Sequence, residues 1–401
     1  MKTRSGPARA PRVLIGVTSY VSLVLLGTIP AKLSERGLDV HVVASGAASE
    51  QSMPGLAGAT LHDVSMARQP SPLQDLMSFV RMLRLIRRIN PEVVVMGTPK
   101  AGLLGLLAAR FQGVPERVYH VRGLRMETET GVRCKVLRAL EQVALASSTR
   151  VVAVSESLKQ ELGSLGGRGT SAVVLGQGSS KGVDTERFVP LTSEDERRAA
   201  KAAIGVDPDT TLIGFVGRLT RDKGILDLLQ ASDRLIQNGS PHQLLLVGAG
   251  EDAAVEEQVQ RRVRAGQAVQ LGHAEQVEDF YAAMEVFCLP TLREGFPNVV
   301  LEASSSGLPV VTTTATGAVD SVVDGETGIA VPPRDSEALA GALRGLIENP
   351  ADRARLGVGG RSRVLKNFRK EDVEGRFVDY VRRVASSVAT EAGTSAKERN
   401  E

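Results

Sequence analysis

The sequence contains few of the residues that mark several common protein classes. Its 401 residues include no tryptophan, four tyrosines and two cysteines, Cys134 and Cys288. Two cysteines cannot build the disulfide framework of a small secreted domain, and they favour a reducing compartment. No segment approaches the roughly 18 uninterrupted apolar residues that a membrane-spanning helix needs. The sequence therefore predicts a protein that is neither disulfide-stabilised nor membrane-spanning.

The N-terminal region has only part of the pattern of a signal peptide. Basic residues up to Arg12 precede a moderately apolar run over residues 13–26. Polar residues interrupt that run, no small-x-small cleavage site follows, and cleavage would remove a predicted strand. We therefore expect a cytoplasmic protein, soluble or peripheral at the inner face of the plasma membrane. Residues 1 to 11 are basic and contain proline, and we expect them to be disordered.

Positive charge is concentrated in the first half of the chain. Residues 1–190 contain 24 Lys and Arg against 14 Asp and Glu, and the remainder contains 25 against 32. Such a surface fits anionic membrane headgroups or a diphosphate-bearing acceptor, although a merely solvated basic face has the same composition. The basic clusters lack interleaved aromatic residues, which argues against nucleic acid as a partner.

Short apolar strands alternate with helical segments along most of the chain. One series runs from a predicted strand at 12–17 to another at 151–154, and a second runs from 211–216 to 329–331. This alternation predicts an α/β protein with two Rossmann-like doubly wound domains whose parallel sheets face a cleft. The predicted domains are 1–190 and 191–375, followed by 376–401, of which 386–401 should be disordered. A continuous helix is predicted over 21–36.

The segment from Val286 to Val311 has the strongest pattern for a ligand site. Two apolar runs, at 286–289 and 308–311, are separated by about the length of a helix, which is the spacing of a βα unit. Pro297 favours a helix that begins near Phe296 to Asn298. A helix N-terminus at the end of a parallel strand favours an anionic ligand such as a diphosphate.

Two carboxylates bracket that helix start. Glu294 precedes it and Glu302 lies inside the helix, so both can accept hydrogen bonds from the hydroxyls of a bound sugar nucleotide. The alternative is structural: Glu302 packs or solvates the helix, and Glu294 complements the helix dipole.

Glu294, Gly295, Phe296 and Glu302 form the pattern E-G-F-x5-E. This pattern resembles the E-x7-E signature of retaining glycosyltransferases of family 4, which have the two-domain GT-B fold. The resemblance continues in Gly217-Arg218-Leu219, in Lys223-Gly224 and over residues 317–320 and 324–328. It covers most of the chain and is strongest from 217 to 328.

The resemblance implies a nucleoside diphosphate sugar as donor, with UDP as the expected nucleotide. Arg218 and Lys223 would bind the donor diphosphate beside Gly217, whereas the alternative is a surface loop that happens to be basic. Glu294 would hold hydroxyls of the transferred sugar, and Glu302 would bind the ribose hydroxyls. The backbone from Gly295 through Phe296 and Pro297 to Asn298 would complete the donor site.

The sequence predicts neither a cofactor nor a metal beside the donor substrate. Gly248 begins a G-x-G pair that lacks the third glycine of a dinucleotide fingerprint, so it predicts a tight turn near the nucleotide. No His/Cys cluster occurs, and no Asp-x-Asp pair follows a strand in a position to hold a metal. We expect a metal-independent reaction in which Arg218 and Lys223 supply the positive charge.

Three residues of the first domain are predicted to contribute to the site. His120 ends a predicted strand and resembles the family's cleft histidine, and a neutral imidazole could also move a proton. A purely structural histidine is the alternative. Arg122 is a predicted substrate-binding residue, and Lys100 follows a strand in a turn from which it would reach a phosphate of the acceptor.

The stretches at 98–102 and 178–184 resemble enzymes of capsule, O-antigen or lipid-linked glycan assembly. We therefore predict a hexosyl- or N-acetylhexosaminyltransferase that acts on the hydroxyl of a glycan, lipid-linked or polysaccharide precursor. The resemblance also implies that a crossover helix at 377–384 returns to the first domain. Two alternatives remain open: a GT-B sugar-nucleotide 2-epimerase, and a non-catalytic protein that binds a sugar nucleotide or a lipid.

Overall fold

The chain divides into two compact units. The computed structural model describes residues 9–46, 53–67, 71–274 and 276–397. The first unit comprises Met1–Lys181 together with Val373–Glu401, and the second comprises Gly182–Asp372. The sequence analysis predicted the first domain boundary after residue 190. In the structure, residues 182–190 belong to the second unit.

The first unit is built on a parallel sheet. Within the described residues its strands are β1 (Arg12–Ser19), β2 (Asp39–Ser45), β3 (Thr60–Asp63), β4 (Val93–Gly97), β5 (Glu116–Val121), β6 (Arg150–Ala153) and β7 (Val173–Val174). Their order in the sheet is β3-β2-β1-β4-β5-β6-β7. β1 pairs with β2 on one side and β4 on the other, so the direction of winding reverses between β1 and β4.

Helices cover this sheet, and apolar side chains between the layers form the core. The helices are α1 (Ile29–Glu35), α2 (Pro72–Ile89), α3 (Pro99–Phe111), α4 (Gly131–Ser147) and α5 (Glu156–Ser164). The valine-rich strand β4 is buried along its length, as expected for a central parallel strand covered on both faces.

The second unit contains a second parallel sheet. Within the described residues its strands are β8 (Leu212–Val216), β9 (Gln243–Val247), β10 (Ala268–Leu271), β11 (Val286–Leu289), β12 (Val310–Thr313) and β13 (Ile329–Val331). Their order is β10-β9-β8-β11-β12-β13. The chain winds outward from β8 to β10 and then returns to β11, so the switch in direction lies between β8 and β11.

Helices of the second unit alternate with these strands. They are α6 (Glu194–Ala203), α7 (Ile225–Gln237), α8 (Ala253–Arg264), α9 (Glu278–Ala283), α10 (Asn298–Ser305), α11 (Ser336–Glu348) and α12 (Pro350–Asn367). The two doubly wound sheets confirm the predicted fold class.

A long final helix, α13 (Lys370–Lys397), completes the first unit. Phe377, Val381 and Val384 are buried in the same apolar cluster as residues of β1 and β2. Glu374 is also fully buried, and it accepts hydrogen bonds from the Thr28 backbone N–H at 3.0 Å, from the Thr28 hydroxyl and from Lys32 Nζ at 2.7 Å. An ion pair and two further hydrogen bonds therefore anchor α13 at the start of α1.

Two predicted segments differ from the structure. The helix predicted over 21–36 is broken into a 3-10 helix, Tyr20–Leu26, and α1, because Gly27 adopts a left-handed φ of 54°. The predicted disordered tail is wrong as far as residue 397, since α13 continues that far. The remaining tail residues, 398–401, and the predicted disordered residues 1–8 lie outside the described residues.

In the part of the chain that the structure describes, no helix is both long enough and apolar enough to cross a bilayer. The longest helix, α13, carries charged residues throughout its length.

Candidate active site

The switch point of the second unit brings two loops side by side. β8 and β11 are neighbours in the sheet, so the segments that follow their carboxyl ends lie at one edge. In open α/β sheets this edge, at a reversal of strand order, is where ligands bind. The loop after β8 carries Arg218 and Lys223, and the loop after β11 carries Glu294.

Lys223 and Glu294 form a direct ion pair between these loops. Their side chains are only 20% and 13% exposed, so the pair lies at a partly buried position rather than on an open surface. Glu294 is also held through its backbone, because its N–H donates to the Thr316 carbonyl at 2.8 Å. The structure thus brings together two residues that are 71 positions apart in the sequence.

Asp222 connects the same two loops. Its carboxylate accepts a hydrogen bond from Arg293 at 3.0 Å, and its backbone carbonyl accepts from the Leu292 N–H at 2.9 Å. Burial raises the pKa of Asp222, but the hydrogen bond from Thr220 and the nearby cations outweigh it and hold the pKa below its ordinary value. Asp222 is therefore an ionised anchor that fixes the positions of the flanking cations.

Arg218 lies on the more exposed side of the site. Its NH1 group donates to Glu251 at 2.7 Å, and its NH2 group is 3.7 Å from Asp222. Its side chain is 43% exposed, as is that of Glu251. An exposed pair of this kind is weak, so an incoming phosphate can compete for the guanidinium group.

Close backbone packing explains one of the predicted glycines. Gly248 follows β9 with a φ of 144°, and a Cβ atom there would lie 2.0 Å from the Gly217 carbonyl oxygen. Gly217 itself follows β8 with a φ of 150°. Any larger residue at 248 would push the turn after β8 out of place, and with it Arg218.

The helix after β11 begins at Asn298, within the predicted interval. Pro297 is its N-cap residue and does not lie inside the first turn. The Phe296 side chain is buried and packs on the Phe368 ring with centroids 5.3 Å apart, so only its backbone is available to a ligand. Gly295 is also buried, next to Glu294.

Glu302 is positioned by a buried tyrosine. The Tyr281 hydroxyl donates to Glu302 Oε2 at 3.0 Å, and Tyr281 is fully buried against Phe188 and Phe287. Burial and the adjacent Glu302 carboxylate raise the pKa of Tyr281 well above its ordinary value, so it remains a donor at neutral pH.

In the first unit, His120 lies at the end of β5 and is buried. Its ring stacks on Phe377 of α13, with centroids 4.4 Å apart and planes at 21°. Arg122 NH2 donates to His120 Nδ1 at 3.2 Å, which requires that nitrogen to be unprotonated. Burial, and then the charge of Arg122, hold the pKa of His120 well below 6.5, so the imidazole is neutral at pH 7.

Arg122 is itself an unusual cation. Burial lowers its pKa to about 10, and its Nε and NH1 atoms have no hydrogen-bond partner among the described residues. Lys100, at the start of α3, donates to Asp75 of α2 at 2.7 Å. The predicted substrate-binding residues of the first unit are thus buried or already paired.

The turn that precedes Lys100 is strained. Thr98 adopts a φ of 74°, which is rare for a β-branched residue. Its hydroxyl accepts a hydrogen bond from the Thr18 N–H at 3.0 Å and lies 2.8 Å from the Thr18 hydroxyl. These bonds join the ends of β1 and β4 at the switch point of the first sheet.

Sequence reasoning missed three residues of the site: Asp222, Glu251 and Tyr281. Asp222 had a detectable signal, because it interrupts the cationic loop between Arg221 and Lys223. Glu251 follows the G-x-G turn directly, so its location near the site could also have been predicted from the sequence. Tyr281 had none, since it lies 21 residues before its partner Glu302.

Two protein families match the chain. The family described as glycosyl transferase 4-like domain matches residues 28–178, and the family described as glycosyl transferases group 1 matches residues 210–349. The capsular polysaccharide biosynthesis glycosyltransferase CapM of Staphylococcus aureus is 35% identical over 87% of this chain and 92% of its own length.

Two further comparisons extend this similarity. The UDP-Gal:α-D-GlcNAc-diphosphoundecaprenol α-1,3-galactosyltransferase of Escherichia coli is 27% identical over 70% of this chain and 72% of its own. The structure of sucrose-phosphate synthase from Thermosynechococcus elongatus aligns with a TM-score of 0.77 at 20% identity, over 94% of this chain and 100% of that one. The chain therefore belongs to the glycosyl transferases group 1 family, and it is a glycosyltransferase of the GT-B type.

Proposed function

We propose that this enzyme transfers a sugar from a UDP-sugar to a hydroxyl of a lipid-linked or polysaccharide precursor, with retention at the anomeric carbon. The names of its relatives support the substrate class, because one acts in capsular polysaccharide biosynthesis and another uses UDP-galactose and a diphosphoundecaprenol-linked sugar. The donor site is assigned to the second unit and is argued from the switch-point loops.

The observation that carries the proposal is the pairing of Lys223 with Glu294 beside Arg218. A sugar diphosphate needs positive charge for its phosphates and hydrogen-bond acceptors for its hydroxyls. The loop after β8 supplies the cations, Arg218 and Lys223. The loop after β11 supplies the hydrogen-bond acceptor, the Glu294 carboxylate. Backbone N–H groups at the N-terminus of α10 add a further favourable field for the diphosphate.

The reaction breaks the bond between the anomeric carbon and the diphosphate oxygen. A bond from the acceptor hydroxyl oxygen to the same carbon forms on the same face, and the hydroxyl proton passes to the leaving diphosphate oxygen. Negative charge grows on the diphosphate as the first bond lengthens, and positive charge grows on the sugar ring. Arg218 and Lys223 stabilise the former, and Glu294 stabilises the latter.

Donor binding would reorganise the two ion pairs of the site. Lys223 turns from Glu294 to a phosphate oxygen, which leaves the Glu294 carboxylate able to accept hydrogen bonds from sugar hydroxyls. Arg218 exchanges Glu251 for a phosphate in the same way. Glu302, held by Tyr281, accepts hydrogen bonds from the ribose hydroxyls.

In this proposal the two cations supply the charge that other transferases take from a divalent ion, so the reaction needs no metal. Activity should then be unchanged by EDTA in the assay. A loss of activity that added Mg²⁺ or Mn²⁺ restores would contradict this part of the proposal.

The test measures nucleoside diphosphate release from UDP-, GDP- and ADP-sugars, with and without sugar-diphosphate-polyprenol acceptors. Acceptor-dependent release from a UDP-sugar, abolished in Glu294→Ala, is the expected result. Conversion of the donor alone into its 2-epimer would establish the epimerase instead. Donor binding without any turnover would establish a binding protein.

A further inference from the structure

Two helices of the first unit, α2 and α4, expose apolar side chains that the glycosyl transfer reaction does not require. α3 packs against both α2 and α4, so the three helices form one layer on the sheet. The first two turns of α2 expose Leu73, Leu76 and Met77, and Leu73 is 78% exposed. Their spacing places them on one side of the helix.

α4 has a similar stripe. Val132, Val136, Leu140 and Val143 follow the spacing of a single helix face and are each at least 38% exposed, with Val132 at 77%. Scattered apolar residues are normal on a protein surface, but two stripes on one layer form a patch.

The same layer is strongly basic. The exposed side of α2 continues past Met77 into Arg81, Arg84, Arg87 and Arg88, whereas Asp75 is the acidic residue of that helix. α4 adds Arg133, Lys135 and Arg138. Arg81, Arg84 and Arg87 have no carboxylate partner among the described residues, so their charge is not neutralised within the described part of the chain.

A recess continues the apolar surface inward between the two stripes. A cavity of about 90 Å³ is walled by Leu103, Leu124, Met126, Leu137 and Leu140, with Asp75 and Lys100 also lining it. Leu140 belongs to both the exposed stripe and the cavity wall. Glu141 lines the cavity as well, and its Oε1 atom has no hydrogen-bond partner among the described residues.

We propose that the α2–α4 layer docks the enzyme on an anionic lipid bilayer. Apolar side chains flanked by Arg and Lys match a membrane interface, where the former enter the acyl region and the latter contact the headgroups. A second copy of the chain is a poorer occupant. A twofold contact through this surface would place the unneutralised arginines against their own copies.

The proposal is independent of which sugar is transferred. It places the first unit, which carries Lys100, the predicted contact to an acceptor phosphate, at the surface where a lipid-linked precursor resides, so it agrees with the proposed function. Its test needs no catalytic turnover, so a failure of the membrane-docking proposal can be distinguished from a failure of the proposed function.

The experiment is co-sedimentation of the full chain with vesicles of phosphatidylcholine alone and of phosphatidylcholine mixed with phosphatidylglycerol. Binding should require the anionic lipid and weaken with added salt. Arg81→Gln with Arg84→Gln should weaken it about fivefold per residue. Val132→Ser with Val136→Ser should also weaken binding to the anionic vesicles, because it removes side chains that enter the acyl region.

Matched controls lie in the second unit. Val358→Ser on α12 and Arg264→Gln on α8 remove exposed residues of the same types, so they should leave binding unchanged. Thermal unfolding of each variant reports whether it is folded. Equal loss of binding in variants and controls, or no binding to anionic vesicles, overturns the proposal. So does a dimer in solution that the Val132→Ser and Val136→Ser variant dissociates.

Discussion

Single charged residues are expected to determine how tightly the donor diphosphate is bound, and Lys223 is the clearest case. Lys223→Gln removes the cation that pairs with Glu294 and that we assign to the donor diphosphate. We expect kcat/KM for the sugar donor to fall by about 100-fold, the typical loss when one charge-stabilising group is removed.

The neighbouring Arg221 offers a matched control for that experiment. Its side chain is 59% exposed and pairs with Asp252, away from Glu294. Arg221→Gln should change kcat/KM little. Equal losses in the two variants would show that the general charge of the loop matters, and would contradict a specific role for Lys223.

Glu141 is a residue whose protonation should affect stability. Burial raises its pKa to about 7, although the hydrogen bond from Tyr119 opposes this, while the unfolded value is near 4.5. A folded pKa above the unfolded one stabilises the protein at low pH, and that stabilisation is lost as pH rises from 4.5 through 7. The loss for the first unit should be at most about 3 kcal/mol.

The measurement is thermal unfolding of the wild type and Glu141→Gln between pH 5 and pH 8, with Tm as the readout. The wild type should lose stability as the pH rises across this range. The variant should lose less, because the glutamine at position 141 does not titrate. Parallel pH profiles for the two proteins would rule out Glu141 as the source.

At the scale of single elements, α13 is anchored by one buried carboxylate. Glu374→Ala leaves Lys32 and the Thr28 N–H without their buried partner. Removing one member of a buried ion pair typically costs about 3–5 kcal/mol. We expect a loss toward the lower end, since Lys32 is 30% exposed.

A second pair on the same helix provides the control. Asp379 and Arg36 are 3.5 Å apart and both more than half exposed, so Asp379→Ala should cost no more than about 1 kcal/mol. Hydrogen exchange of the β1 and β2 amides would report the stability of this unit. Similar protection in both variants would disprove the anchoring role of Glu374.

The elements themselves were largely predictable. β11 and β13 occupy the predicted residues, 286–289 and 329–331, because short apolar runs in a parallel sheet are bounded by turn residues. The break at Gly27 was not predictable from the apolar pattern, which continues across it. The C-terminal part of α13 was missed because its polar residues suggested disorder, although the helix propagates through them from a buried turn.

The site was predictable only in its residue types. The E-x7-E pattern and the cationic loop identified Glu294, Arg218 and Lys223, but their partners depend on strand order. Strand order brings β8 beside β11, although 69 residues lie between the end of β8 and the start of β11 in the sequence. Asp222, Glu251 and Tyr281 act through contacts that no local pattern encodes.

At the scale of the whole molecule, the second unit is formed by one continuous segment of the chain and the first unit by two separate segments. Residues 182–372 contain all strands of the second sheet in one continuous segment, whereas the first unit needs residues from both ends of the chain. We therefore expect the fragment 182–372 to fold alone, as judged by cooperative thermal unfolding. The fragment 1–181 should not, because it lacks Phe377, Val381 and the other α13 residues of its core.

A fusion of 1–181 to 373–401 through a flexible linker is the control for the first unit. It should recover the cooperative transition that 1–181 lacks. A cooperative transition in 1–181 alone would show that α13 is dispensable for this unit.

The split first unit also has a consequence for synthesis on the ribosome. Its strands leave the exit tunnel before the second unit is made, but α13, which closes their core, is translated only after the second unit. The second unit can therefore complete its fold while the first still exposes the apolar surface of β1 and β2. A nascent chain that stalls before residue 373 would present that surface to chaperones, and synthesis of α13 is the step that covers it.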